Sequence, residues 1–522
     1  MTRLRAIVAE IAVTPAGGSP EVLRVSDSPI RPWSPADPAR PNASARELLV
    51  EVGEISTELY ADLSRLASTV GGGEIVLSAT GGALAAYAGA TWGDVAIYWG
   101  DTAIDGTPAP WATWSRLMSG RVEAVRQDLS VTGPSRLRLL CYDPRGTLDE
   151  AVQGRTYLGT NSGAAGYEGT SDDLIGKAVP IALGDLTRAN ISPPCVNTAR
   201  QVYQLNDGGD YSDEILRVGG GDAGATMAGD LSSADFDASM APASGAYVRD
   251  RARGLVMLGG GIISAALSAT LKGAVGGAYV ATAPGLIKRL LERRGTPAGQ
   301  IGGTFGAVSA PAPVGLWIEG ATSYRSVIET LAASMGGWVA PDSVGVWQIG
   351  LLAAPAGAPA ETLDSYSIRD LAVDDADDAI PAWRVTVRHA RNYTVMRRSD
   401  LAGAVRETDR AAELAREWRE AVWSAPAVKA AYPAARDLVL DTALVAQADA
   451  QALADRLGGL LGQPRRSWRV TVELTAARLA YQPGITCLAL DYRPLAIGGL
   501  YRVMGRKLFS PSRHLMTLRL WG

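Results

Sequence analysis

Histidine and cysteine are scarce in this chain, which has two of the first and three of the second in 522 residues. Histidine is the side chain that most often moves protons near neutral pH. Its scarcity confines such chemistry to His389 and His514, or to carboxylates. Both histidines lie beside charge-alternating, strand-like segments, where an ordinary structural histidine is expected rather than a base or a ligand. Cys141, Cys195 and Cys487 are odd in number and far apart. They offer neither a CxxC metal clip nor a disulfide framework, and suit synthesis in a reducing cytoplasm.

Long basic runs are also missing. Lysine and arginine total 50 against 54 acids, for a net charge of −4. A dedicated nucleic-acid binder carries a basic stripe or excess, so DNA is expected to meet this protein only in passage. HExxH, GxSxG and any recognisable Cys/His pairing are absent. The expectation is therefore a non-enzymatic protein with no catalytic residue, no cofactor site and no metal site. One enzyme class stays open as the alternative, a β-rich protein degrading cell wall or glycans, because any two of the 54 acids can meet in space.

No signal-peptide core forms at the start, because Glu10 interrupts the apolar run, and this segment reads as a strand. The uncharged stretch 254–271 just reaches the length of a membrane-spanning helix. Gly259-Gly260-Gly261 in its middle disfavours a helix and favours a turn between two strands. A hairpin is expected there, with no stable membrane insertion. The run Val218 to Thr226 is glycine-rich but lacks the lysine of a phosphate loop, and reads as a flexible loop. Asp374, Asp375, Asp377 and Asp378 form an acidic run that could gather around a hard cation such as calcium. Without EF-hand spacing, a solvated acidic turn is the preferred reading.

What the chain does contain is short β-branched and aromatic runs between Gly, Pro and Asp turns, the pattern of antiparallel sheets. Apolar content of 47% and charged content of 20% fit a well-packed globular protein, and the length calls for three to four domains. The first 148 residues read as one β-barrel, with a Pro-rich loop over 28–41. Residues 149–364 are mixed. They hold a helix from about Pro284 to Arg294, closed by Gly295, and a second with the stripe Tyr324, Val327, Ile328, Leu331 and Met335, capped by Thr322 or Ser323. A hairpin is expected around Pro341-Asp342-Ser343. After a small-residue linker over 353–360, residues 365–400 and 464–522 read as a second β-barrel. Between them, 401–463 read as a helical insertion, with Ala402–Trp423 and Ala446–Leu461 as its helices. The fold class is thus a β-rich, multidomain α+β protein.

Several phrases resemble the hub (baseplate-hub or tail-tip-hub) family of tailed phages and gene-transfer particles. They are Leu23-Arg24-Val25-Ser26-Asp27-Ser28-Pro29-Ile30, Gly73 to Leu84 with Val95-Ala96-Ile97-Tyr98-Trp99-Gly100, Asp173 to Pro180, Asn197 to Gly208, and the closing Gly499 to Lys507 with Thr517 to Gly522. The resemblance implies a homotrimer in which each chain supplies two tail-tube-like barrels, giving a pseudo-sixfold ring under a sixfold tube. It implies a virion location at the tail tip after synthesis in the host cytoplasm. The implied partners are a distal tail protein ring, the tape-measure protein and tail-tip fibre or receptor-binding proteins. The chain ends after its second barrel, so receptor recognition and wall digestion are expected to belong to other proteins.

Overall fold

Alternation along the first strand shows how the sequence builds two packed faces at once. In Arg3–Thr14, Ile7, Ala9, Ile11 and Val13 enter one core while Ala6 and Val8 enter another, as a period of two requires. The second core belongs to the Pro-rich loop. That loop folds back over the sheet and sets Trp33 edge-on against the stacked pair Trp111 and Trp114, with ring centroids 5.1 and 5.5 Å away. The structure, a computed structural model, describes residues 3–63, 66–128, 134–163, 165–260, 267–374, 380–508 and 514–522.

The expected β-rich, multidomain α+β class is what the structure has. Strands from the two ends of the chain form one 15-stranded sheet. The Ile55–Glu58 strand of the first set pairs antiparallel with the Ile497–Leu508 strand of the last, in the register Glu58 to Gly505 through Ile55 to Leu508. One apolar core runs under both sets, from Ile11 and Leu77 to Val470, Leu488 and Leu518. The two strand sets read as separate barrels are therefore joined edge to edge, and among the described residues no pairing closes either set upon itself.

Both helices read from the middle region are present as Ala283–Arg293 and Tyr324–Ser334. Pro284 sits in the first turn of one, and the Ser323 hydroxyl accepts from Ser326 N to cap the other. Leu286, Ile287, Leu290, Val327, Ile328 and Leu331 turn their stripes into a shared core. The hairpin is there too, Gly337–Pro341 against Trp347–Leu351, with Asp342 Oδ1 accepting from Val344 N and Val346 N across its turn.

The segment from Ala382 to Leu461 departs from expectation in three ways. The helix read over Ala402–Trp423 stops at Leu414, and Arg419–Ser424 is a strand. Arg436–Asp441, inside the segment 401–463 read as a helical insertion, is a strand as well. Both pair with Ala382–His389, which is the centre of a separate three-stranded sheet and not part of the large one. Ala, Glu and Arg favour a helix locally, but Ala421, Leu438 and Leu440 alternate inward, and a partner strand with open hydrogen-bonding groups on both sides outweighs propensity. The Gln447–Leu461 helix covers that sheet so closely that a Cβ on Gly458 would lie 2.1 Å from the Trp423 ring.

The uncharged stretch gives two strands, Leu255–Leu258 and Leu267–Gly273, but they pair into different sheets and so make no hairpin with each other. Residues 261–266 between them lie outside the described residues. Among the described residues no helix is long and apolar enough to cross a membrane. The glycine-rich run is an ordered two-residue hairpin instead of a flexible loop. Val218 pairs with Gly221, and Gly219 and Gly220 take φ of +57° and +77° at its tip, the left-handed pair that such a turn requires. The tip docks on Met396, Leu401, Val405 and Leu414, and Gly219 O accepts from Ala402 N at 2.9 Å.

A methyl group on Gly220 would sit 2.4 Å from Leu414 Cδ1 at a φ that L residues avoid. Gly220→Val should therefore loosen the docked segment by about 1–3 kcal/mol. Limited proteolysis should show faster cleavage within 396–418, with the large sheet protected; unchanged cleavage would contradict the docking.

Candidate functional site

The residues that sequence reading singled out for chemistry do not come together. His389 is fully buried and its Nε2 lies 2.7 Å from Gln447 Oε1. Burial holds it below the ordinary histidine value, so it stays neutral. His514 stands elsewhere, its ring 6.4 Å from that of Trp99. Cys141 is buried, and burial pushes its thiol up to about 12. Among the described residues no three His, Cys, Asp or Glu side chains gather as a metal site. Of the acidic run, Asp375, Asp377 and Asp378 lie outside the described residues. Asp374 is buried against Arg469 Nε at 2.5 Å and against Arg519. It is an ion-pair partner, not the solvated turn that was expected.

The densest polar construction is the seam where the two strand sets meet. Along one face, Lys507 Nζ reaches Glu54 at 3.2 Å and Glu58 at 3.9 Å, and Arg519 Nη1 stands 3.8 Å from Glu58. Arg519 continues to Asp374, and Asp374 to Arg469. Opposite charges therefore alternate from the Ile55–Glu58 strand to the Ser467–Glu473 strand, around a cavity of about 200 Å³. Burial works to raise Asp374, and Arg519 and Arg469 outweigh it, so the carboxyl is held below its ordinary value.

Behind the same strand pair the charges are out of water. Arg506 is buried, donates from Nη1 to Leu479 O at 2.8 Å, and is pushed down to about 10 by burial. Arg145 is buried against Asp143, Nη2 to Oδ2 at 2.6 Å, and donates from Nη1 to Glu58 O at 2.7 Å. Asp143 also accepts from Gly71 N at 2.8 Å. Arg325, from the second helix of the middle region, donates to Arg145 O at 2.8 Å and pairs with Asp149 at 2.6 Å. Glu58 thus ties three parts of the chain: its carbonyl takes Arg145, and its carboxylate faces Lys507 and Arg519.

Glycines make the approach possible. A Cβ on Gly505 would lie 2.7 Å from Glu58 Cγ, and one on Gly71 would lie 2.5 Å from both Ser56 O and Asp143 Oδ2. Sequence reading passed over Glu58, Arg145 and Arg506. No local pattern marks Glu58 or Arg506, whose partners are tens to hundreds of residues away, and although Asp143 lies two residues from Arg145, the Glu58 carbonyl that Arg145 also reaches is 87 residues away. A larger cleft of about 520 Å³ lies between the first strand set and the middle region, with Glu10, Arg40, Tyr98, Arg116, Arg294 and Val344 on its walls. Glu10 is already occupied by Arg24 and Arg40, each at 2.7 Å.

No family model matches this chain, and no curated protein sequence does. Solved structures do. A tail protein from Neisseria meningitidis MC58 aligns over 98% of this chain and 96% of its own, at 13% identity and a TM-score of 0.40. A prophage tail protein from Listeria monocytogenes EGD-e aligns over 98% and 94%, at 10% identity and a TM-score of 0.41. A component of the E. coli type VI secretion system aligns over 91% and 73%, at 10% identity and a TM-score of 0.32. At such scores the likeness has no weight of its own beside the residues described above.

Two measurements test the seam. Gly505→Ala should cost about 1–3 kcal/mol in thermal or denaturant unfolding, and adding Glu58→Ala should return part of that loss. Full stability of Gly505→Ala would show that the strands do not need this contact. Asp374→Asn should cost about 2 kcal/mol at neutral pH, most of it through the less exposed Arg519. Because the folded carboxyl titrates below its ordinary 3.8, the wild type keeps this advantage above that pH and loses it as pH falls through the folded value. A difference between wild type and variant that already vanishes near neutral pH would contradict the pairing.

Proposed function

We propose that this protein is a structural hub at the distal tip of a phage tail. Three copies would form a pseudo-sixfold ring that joins the tail tube to the tip and surrounds the channel for the tape-measure protein and DNA. The observation that carries this reading is the fusion of two strand sets, one from each end of the chain, through the Ile55–Glu58 and Ile497–Leu508 pair. Three such chains present six β-modules, which matches a sixfold tube without six chains. Residues 1–148 and 362–374 with 464–522 would be those modules, with the middle region and the separate sheet centred on Ala382–His389 placed around them.

The sheet also leaves edges that call for partners. Among the described residues, the Ser115–Asp128 strand has no neighbour beyond Arg121 on the side of Thr91–Ala103. Ile368–Val373 ends the sheet on the other side, with Val373 65% exposed. Unpaired edges of this kind are aggregation-prone unless covered, and a closed ring covers them. A distal tail protein ring, the tape-measure protein and tail-tip fibre or receptor-binding proteins would be the neighbours. The protein would reside in the virion and turn over no substrate.

The test is to image particles carrying a labelled copy and to measure the mass of the isolated protein in solution. Label density at the distal tail end with threefold symmetry is the expected result. Label elsewhere in the particle, or peptidoglycan cleavage abolished by changing one carboxylate, would overturn the reading.

A further inference from the structure

Where the docked segment 396–414 meets the Tyr211–Val218 strand, Arg217, Arg410 and Arg419 gather with Arg188 in electrostatic range; one carboxylate pairs with two of them, and Asp222 stands across its hairpin from Arg217. Arg410 lies on the Asp409–Leu414 helix, Arg419 opens the Arg419–Ser424 strand, Arg217 is next to last in its strand, and Arg188 follows Ile181–Gly184. The Gly219-Gly220 turn brings Arg217 in, since its tip rests on Leu401 and Leu414. One oxygen of Glu413 serves both Arg410 Nη1 and Arg419 Nη2, each at 3.2 Å. Among the described residues no other carboxylate forms an ion pair with any of the four.

The donors are left over as well as the charge. Among the described residues, Arg217 Nε and Arg410 Nε are both sealed from solvent and meet no hydrogen-bond partner. A buried donor left unmet needs an explanation, and here two occur on guanidiniums that repel each other. Burial first, then Arg410, holds Arg217 below the ordinary guanidinium value, although Asp222 pulls the other way. Arg419 is held down by burial and by Arg188 and Arg410, against the pull of Glu413. The cluster is nevertheless reachable, because the side chains of Arg410, Arg419 and Glu413 keep 28%, 21% and 47% of their exposure.

We propose that this arginine cluster is an oxyanion site for a phosphate-class dianion. Four guanidiniums against Glu413 and Asp222 leave an excess of two positive charges, which a dianion balances. Guanidinium forks match the paired oxygens of phosphate in a way that chloride cannot. The half-buried setting suits a small tetrahedral ion entering past Glu413. The inference stands on these residues and not on the tail-tip reading, and either can fail without the other.

The test is calorimetric titration of the intact protein with inorganic phosphate, and its thermal midpoint in phosphate against sodium chloride at equal ionic strength. Saturable binding near one phosphate per chain, with a midpoint raised by about 3 °C or more in excess phosphate, is expected. Arg410→Met should weaken binding at least about tenfold, the loss of one charge-assisted contact, and Glu413→Gln should tighten it. In phosphate-free buffer Arg217→Met should be no less stable than the wild type, because a repulsion has been removed. Equal responses to phosphate and chloride, or wild-type affinity in both arginine variants, would overturn the proposal. A short single-stranded oligonucleotide bearing a terminal phosphate as competitor separates the sources: displacement of inorganic phosphate assigns the site to a phosphomonoester end, and no displacement assigns it to the free ion.

Discussion

Four residues of backbone pairing, Ile55–Glu58 against Gly505–Leu508, decide how the two ends of this chain sit together. Everything between them leaves from and returns to that junction. The pairing needs side chains small enough for the strands to approach, which is why Gly505 and Gly71 stand where they do. It also needs an exact register, because a slip of one residue would move Leu508 out of the core and turn Lys507 inward. The charges around Glu58 oppose such a slip. Lys507 and Arg519 meet it only in the observed alignment.

Burying charge at a seam is not a cheap route to stability. A buried ion pair loses hydration for both partners, and apolar residues of similar size often do as well. Arg145 with Asp143, and Arg506 with the Leu479 carbonyl, are therefore better understood as alignment devices than as a source of stability. Arg145 reads the position of Glu58 through its carbonyl, and Arg325 reads Arg145 in the same way. A displaced strand would leave guanidiniums unmet in the interior, which disfavours the wrong arrangement more than it strengthens the right one. That bias fixes how the two strand sets sit against each other, which extra stability alone would not do.

Much of the fold was legible because its signals are local. The stripe from Tyr324 to Leu331, Pro284 at a helix start, and Asp342 in a tight turn each state their structure within a few residues. What failed to show was decided at a distance. Arg419–Ser424 has helix-forming composition, and it is a strand because Ala382–His389 had an edge to offer. The uncharged stretch 254–271 did hold two strands, but which sheet each joins depends on partners at Val202–Gln204 and Tyr211–Val218. Asp374 looked like part of a solvated run, and only the folded sheet brings Arg469 and Arg519 to it. Of the candidate site, neither Glu58 nor the arginine cluster carries a sequence signature, since each is assembled from separate strands and helices.

Stability is distributed unevenly as a consequence. The large sheet rests on a core drawn from both chain ends, and the middle helices share theirs with the Gln447–Leu461 helix. Among the described residues, the segment 396–414 has a small core of its own in Met396, Leu401, Val405 and Leu414, with Ala402 and Ala411 packed against it. Small satellite cores open at lower free energy than the units they rest on. This one is held down by a glycine turn from one side while arginines repel each other beside it. The closure of this segment therefore responds to local charge, and a ligand or partner that held it closed would stabilise it.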